Sequence, residues 1–332
     1  MSLIDEEARL LGGSDLAALV GLSPWQTPLT VYARIKSGKW EREQTPAQRR
    51  GTLMEPVVRE MYRMDTGAEI LGPVKLRHPR HDFGRASLDD VVRHRGGGRR
   101  VLEIKTDGRD RAHVWGEPGT DEVPDYYAVQ ASYYLGVGLE TGAIEEDTAD
   151  VAVLLLGVDD SPRVYRVKHQ PEVYEWLLEA AHRFWVDHVV PGRPPEPTAP
   201  AREAEAVRRL YAKEREPLAD FSALPPEDRA AVLAYAEARA RAKEAGNVLE
   251  DAELRLKLAL GWRSGVEGLP ADTGLRRVTW KADGQGKVAW KTAFEALAKE
   301  TSATPESVAR ILDAARGEPG RTLRASELKE EP

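Results

Sequence analysis

Apolar and polar positions alternate through VLEIKTDG at residues 101–108, so Leu102 and Ile104 share one side of a strand and Glu103 and Lys105 the other. Similar alternation at 73–78 (PVKLRH), 83–92 (FGRASLDDVV) and 100–106 (RVLEIKT), with polar and glycine-rich turns between, predicts a three-stranded meander. Ahead of it, LGGSDLAALVGLSPW reads as a short helix opened by Ser14 or Asp15. TPLTVYARIKSG reads as a second, with Thr27 as cap, Pro28 in the first turn and Gly38 at the end. Leu53, Val57, Val58, Met61 and Tyr62 recur at helical spacing from Thr45 to Thr66, interrupted by Pro56, where a kink or restart is expected beside Glu55. VPDYYAVQASYYLGVG sets Tyr127, Gln130 and Tyr134 on one helical face. Strands ADVAVLLLG and RVYRVK and an aromatic helix PEVYEWLLEAAHRFWVDHVV follow. The order is helix, three strands, helix, strand.

PGRPPEPTAP, at 191–200, has five prolines in ten residues and neither packs nor continues a helix. It divides a first domain, 1–190, from a C-terminal region, 201–332. There, two helices broken near Leu224-Pro225-Pro226 precede a hairpin at 275–291 around Asp283-Gly284 and a capped helix in TPESVARILDAARG. Trp280 and Trp290, with Arg276, Arg277, Lys281, Lys287 and Lys291, either stack on single-stranded DNA or fill the core of that hairpin.

The 332 residues exceed what one core usually fills, and 41% hydrophobic with 31% charged residues describes a globular protein with a charged surface. No apolar run approaches a membrane span and MSLIDEEARLLGG lacks the regions of a signal peptide, so a cytoplasmic location is expected. The absence of cysteine excludes disulfides, thiolate zinc and iron–sulfur clusters. Any metal must sit on oxygen or imidazole, which favours Mg²⁺ or Mn²⁺. The net charge of −7 hides an uneven distribution: residues 75–111 hold eleven Lys or Arg against six acids, whereas 116–150 hold nine acids and no Lys or Arg. A basic lobe around VLEIKT could track a phosphate backbone. His78, His81 and His94 show no metal-binding spacing and are expected at the surface.

An isolated E-x-K is most simply a surface ion pair. Here, however, Asp89 lies on the strand before Glu103, and two acids plus a main-chain carbonyl suffice for Mg²⁺. Glu55 on the preceding helix is placed to complete or support such a shell, and Lys105 would bring positive charge to a water or phosphate. Asp90 competes with Asp89, since neighbours on a strand face opposite ways.

Glu55, Asp89 and Glu103-Ile104-Lys105, on this order of elements, resemble the PD-(D/E)XK nuclease superfamily. More narrowly, LGGSDLAALVGLSPWQTPLTVYARIKSG, GTLMEP, ASLDD, VLEIKT and YAVQASYYL resemble the phage-type YqaJ recombinase exonucleases related to lambda exonuclease, over about residues 9–190. The resemblance implies an α/β restriction-endonuclease-like core, αβββαβ, with a mixed central sheet flanked by helices. It implies a Mg²⁺-dependent exonuclease, with Mn²⁺ as a possible substitute, that degrades duplex DNA from a 5′ end and leaves a 3′ overhang for a single-strand annealing protein. A ring-shaped homo-oligomer is a family expectation. The implied roles are metal binding for Asp89, Glu103 and the Ile104 carbonyl, orientation of water for Lys105, support for Glu55, steadying of water or phosphate for Gln130, and 5′-phosphate binding for Ser14 and Arg9. Asp90 stands where the family usually has glycine, Ser132 where a second glutamine is common, and Arg9 lies closer to Ser14 than the family pattern. The other readings are a DNA-end-binding or scaffold protein on the nuclease fold and an endonuclease of the same superfamily; the retained Glu55, Asp89, Glu103 and Lys105 weigh against a scaffold.

Overall fold

The computed structural model describes residues 6–39, 45–212, 218–273, 277–279, 304 and 306–307. The chain divides into two compact units, Met1–Lys213 with Gly320–Pro332, and Glu214–Pro319.

In the first unit, helices α1 (Gly13–Leu19), α2 (Pro28–Ser37) and α3 (Pro46–Thr66) precede strands β1 (Glu69–Arg77), β2 (Arg85–Arg93) and β3 (Arg99–Gly108). Helix α4 (Asp125–Glu140) crosses over to β4 (Thr148–Leu156), and β5 (Arg163–Lys168) and α5 (Pro171–Phe184) follow. The sheet order is β1-β2-β3-β4-β5, with β3 and β4 parallel and the other pairs antiparallel. This is the expected αβββαβ order with a mixed sheet and flanking helices.

The helix boundaries have local causes. Thr27 accepts the Thr30 N–H at 3.3 Å, Pro28 opens α2, and Gly38 ends it in the left-handed region at φ 63°. Thr45 and Gln48 form the matching box on α3. Pro56 does not break α3, which runs unbroken for 21 residues; the proline lies on the exposed side, where loss of a main-chain donor is tolerated. Of the apolar stripe on this helix only Val58 and Tyr62 are buried, and Leu53 and Val57 are exposed.

The sheet is covered on both faces. Leu88, Val91, Val101, Val151 and Val153 pack with α1, α2, α4 and α5, while Val92, Leu102, Ile104, Ala152 and Leu154 pack with Val58 and Tyr62 of α3. β3 is therefore not half-buried as its alternation suggests: Val101, Leu102, Glu103 and Ile104 are all buried, because a central strand has a helix layer on each side. His78 is likewise buried rather than at the surface, hydrogen-bonded to the Tyr174 hydroxyl at 3.0 Å, and burial lowers its pKa to about 4.

The first unit continues past the proline-rich segment at 191–200, which the sequence reads as the domain boundary. Helix α6 (Pro200–Leu210) packs on α2; the buried Glu203 closes the helix's own N-terminus by accepting from Ala199 N–H at 3.0 Å and from Thr198, and reaches α2 through the Thr27 hydroxyl that caps it. The second unit holds α7 (Pro226–Leu260), 35 residues long, and a two-stranded antiparallel ribbon of β6 (Gly265–Glu267) and β7 (Arg277–Thr279). The hairpin turn expected around Asp283-Gly284, Trp280, Trp290 and most of TPESVARILDAARG lie outside the described residues. Among the described residues no helix is long and apolar enough to cross a membrane.

Candidate active site

The site forms where β2 and β3 part. Their ladder ends at the pair Asp90 and Leu102, whereas β3 continues along β4 to Gly108. Just there the register against β1 shifts twice: Ile70 pairs with Val92, Gly72 with Val91 and Val74 with Leu88, so β1 carries one extra residue before Gly72 and β2 one after it. Such a bulge reverses the side-chain alternation and re-aims the residues inside it. Asp89 and Asp90 are those residues, and they go separate ways.

The Asp89 carboxylate accepts the Ile104 N–H at 2.9 Å, taking the place of the ladder partner that β2 no longer supplies. Asp90 is fully buried and ion-paired with Arg59 of α3, which also reaches Glu55 at 3.2 Å. Burial raises the Asp90 pKa despite this pairing. Asp90 thus anchors α3 through Arg59, with its second oxygen, Oδ1, buried and without a hydrogen-bond partner.

Glu103 and Lys105 share the α4 side of β3. One carboxylate oxygen of Glu103 accepts from both Lys105 Nζ and Gln130 Nε2, the latter at 2.6 Å; the Gln130 amide also donates to the Tyr134 hydroxyl at 3.2 Å. The other, Oε2, is buried with no hydrogen-bond partner, on a residue only 1% exposed. Burial and the nearby Asp89 charge push the Glu103 carboxyl up to about 8, against the pull of Lys105. Burial works against the Lys105 ammonium, but Glu103 and Asp89 outweigh it and raise its pKa. The Tyr127 ring lies 5.0 Å from Lys105 Nζ, and burial pushes that phenol up to about 12.

Glu55 joins this field from α3. Burial and then Asp89 raise its pKa, against Arg59. Its carboxylate is engaged by Arg59, and among the described residues no three His, Asp or Glu side chains gather at metal-binding spacing. The protein donors suited to one cation are accordingly the carboxylates of Asp89 and Glu103, both hard oxygen ligands. The carbonyl of Ile104 leaves β3 on the same edge as its N–H, toward Asp89. A dication fits this set: it would meet the unsatisfied Glu103 Oε2 and relieve the repulsion between the two acids.

The first turn of α1 abuts the site. A Cβ on Gly13 would stand 2.8 Å from the Tyr134 ring and 3.1 Å from Gln130 Cγ, so only glycine allows this approach. The helix is capped by Gly12 rather than by Ser14 or Asp15. Asp15, at the third position, accepts the Gly12 N–H at 2.8 Å and pairs with Arg34 at 2.7 Å, which leaves Ser14 exposed. Arg9 is exposed at the end of the short turn Glu6–Arg9. Much of the basic lobe is already neutralised: Arg77, Arg80, Arg93, Arg99, Arg100 and Arg111 each pair with a carboxylate, those of Arg99 and Arg100 being Glu145 and Glu146 in the acidic segment after α4.

Comparison with known proteins agrees with the motifs. Residues 6–143 match the YqaJ-like viral recombinase domain. That match takes in α1 through α4, and with them Glu55, Asp89, Glu103, Lys105 and Gln130. The protein YqaJ of Bacillus subtilis strain 168 is 28% identical over 212 residues, 63% of this chain and 62% of its own length. Among solved structures, the alkaline exonuclease LHK-Exo of Laribacter hongkongensis superposes with a TM-score of 0.44 at 17% identity, over 60% of this chain and 91% of that one. The LHK-Exo complex with dAMP gives 0.42 at 16% identity over the same shares.

Arg59 and Tyr134 are the partners that motif reading left unassigned. Arg59 lies one helical turn beyond Glu55, a spacing that announces an ion pair but not its second partner, Asp90.

Proposed function

We propose that the protein is a metal-dependent DNA exonuclease of the phage recombinase type, acting from 5′ ends of linear duplex DNA. The observation that carries this reading is the buried Glu103 carboxylate beside Asp89, with one oxygen held by Lys105 and Gln130 and the other left without a partner. Burying a carboxylate is costly unless its charge is met. A structural ion pair needs no second acid pressed against it.

A bound Mg²⁺ or Mn²⁺ supplies charge for the scissile phosphate and a water of lowered pKa. Glu103, Asp89 and the Ile104 carbonyl would hold it. Gln130 fixes the Glu103 carboxylate through its amide, and Tyr134 accepts the other contact of that amide and so sets its rotamer. Lys105, kept as an ammonium by Glu103 and Asp89, orients the attacking water and faces the negative charge that develops on the non-bridging phosphate oxygens. Glu55 adds negative charge from α3 and keeps Arg59 off the two acids. Ser14, exposed on the turn that abuts Gln130, and Arg9 bind the terminal 5′-phosphate. The 3′ overhang would serve an annealing protein, and a ring-shaped oligomer would retain the duplex.

End-labelled linear duplex with Mg²⁺, beside a closed circular control, tests the reading. Loss of label from the linear substrate alone is expected; cleavage of the circle would mark an endonuclease. A 5′-phosphorylated duplex is expected to be digested faster than a 5′-hydroxyl one, and Ser14→Ala to shrink that difference.

A further inference from the structure

Beside Lys105 stands a group of aromatic and cationic side chains that the chemistry above does not use. Trp25, in the turn between α1 and α2, is 55% exposed, an unusual setting for an indole. Its ring meets Tyr126 edge-on at 4.8 Å and lies 6.2 Å from Tyr127. The Arg111 guanidinium lies 5.8 Å from the Trp25 centroid and 5.9 Å from that of Tyr126, and is itself held by Asp107 and the Tyr126 hydroxyl. Tyr127 links this group to the site, its ring being also 5.0 Å from Lys105 Nζ.

The turn that carries Trp25 is fixed. Ser23 Oγ accepts the N–H of Trp25 at 3.3 Å and that of Gln26 at 3.1 Å, Thr27 caps α2 immediately after, and Arg202 of α6 donates to the Pro24 carbonyl at 2.8 Å. A rigidly held, open indole with a guanidinium beside it is suited to a flat, electron-rich ring attached to a negatively charged backbone. Both features belong to a nucleotide.

We propose that Trp25 is a stacking platform for an unpaired nucleobase of the strand whose phosphate lies at Lys105, with Arg111 meeting the adjoining phosphate. The platform rests on the nucleic-acid reading of the site, but it requires only that a strand binds there. Tyr126 and Tyr127 buttress the indole from below, and Tyr127 sets its distance from Lys105. The base neighbouring the phosphate is thereby turned out of any duplex, and the strand is positioned for attack.

The test is binding of a fluorescent single-stranded oligonucleotide by the full chain, followed by anisotropy without added metal, so that no cleavage is needed. Trp25→Ala is expected to weaken binding by about tenfold and Trp25→Phe by much less, since a phenyl ring still stacks. Oligonucleotides with a single abasic position, scanned along the strand, add a second arm. At one position the missing base should weaken the unmutated protein by the same factor and leave Trp25→Ala unaffected. Equal affinity of Trp25→Ala and the unmutated protein would overturn the proposal. So would equal losses from the abasic site in both proteins, or a Trp25→Phe defect as large as that of alanine. The two readings fail separately: no hydrolysis of linear duplex in Mg²⁺ with the stacking signature intact removes the nuclease and keeps the platform, and hydrolysis without that signature does the reverse.

Discussion

At the scale of single residues, the two acids of the β2 bulge differ most. Asp89→Asn keeps the shape of the side chain and removes the charge that faces Glu103, so cation binding and hydrolysis should both be lost while the melting temperature holds or rises. Asp90→Asn should act on stability instead. It leaves Arg59 facing a neutral amide in a fully buried position, at a cost of about 2 kcal/mol, read as an earlier denaturant midpoint. Glu103→Gln, close to isosteric and therefore gentler on a buried strand than alanine, should lower the hydrolysis rate by at least ~100-fold; Lys105→Ala should do the same. Near-normal rates in either variant would remove the proposed chemistry. The Glu103 pKa of about 8 also sets a pH dependence. Proton and cation compete for one carboxylate, and the raised value means that a cation displaces a proton over a wider pH range than at an ordinary glutamate. Mg²⁺ affinity measured by calorimetry should therefore fall about tenfold for each pH unit below 8 and level off above it. An affinity independent of pH between 6 and 8 would place the cation elsewhere.

At the scale of elements, α6 and α2 form a unit that reading from composition divides. Glu203 is buried at the start of α6, where hydrogen bonds from Thr27, Thr198 and Ala199 outweigh burial and lower its pKa. A lowered carboxylate contributes stability that is present above its unfolded value and disappears as acid brings the pH through the folded one. Glu203→Ala should reduce stability at neutral pH by about 2 kcal/mol and remove that part of the acid sensitivity, as thermal melts at two pH values would show. The same contact bears on Trp25, because Arg202, the neighbouring residue, holds the Pro24 carbonyl. Element order was readable from alternation and turn residues, and β5 at 163–168 lies where its pattern puts it, whereas β1, read at 73–78, begins four residues earlier at Glu69. The bulge was not readable. Leu88-Asp89-Asp90-Val91-Val92 breaks the period of two, but a doubled polar pair does not say which acid turns which way, and the register shifts exist only in relation to β1.

At the scale of the whole molecule, the two compact units suggest a separable first unit. A fragment ending at residue 213 keeps the complete sheet, both helix layers and every residue of the candidate site. It should unfold cooperatively and retain the chemistry of the full chain on short duplexes, as calorimetry and a nuclease assay would establish. The kinds and order of elements, the exclusion of thiolate ligands in a chain without cysteine, and the candidates Glu55, Asp89, Glu103, Lys105 and Gln130 were all legible in the sequence by itself, because periodicity, composition and motif spacing are local properties of a chain. Tertiary structure decided which acid of Asp89 and Asp90 faces Glu103, that Glu103 is buried with one oxygen unsatisfied, that α6 belongs with the first unit, and that Trp25 is linked to Lys105 through Tyr127. Each of these depends on what lies across a sheet or a helix interface, where residues 15 to 31 positions apart share one dielectric and compete for the same hydrogen bonds, and no local pattern carries that information.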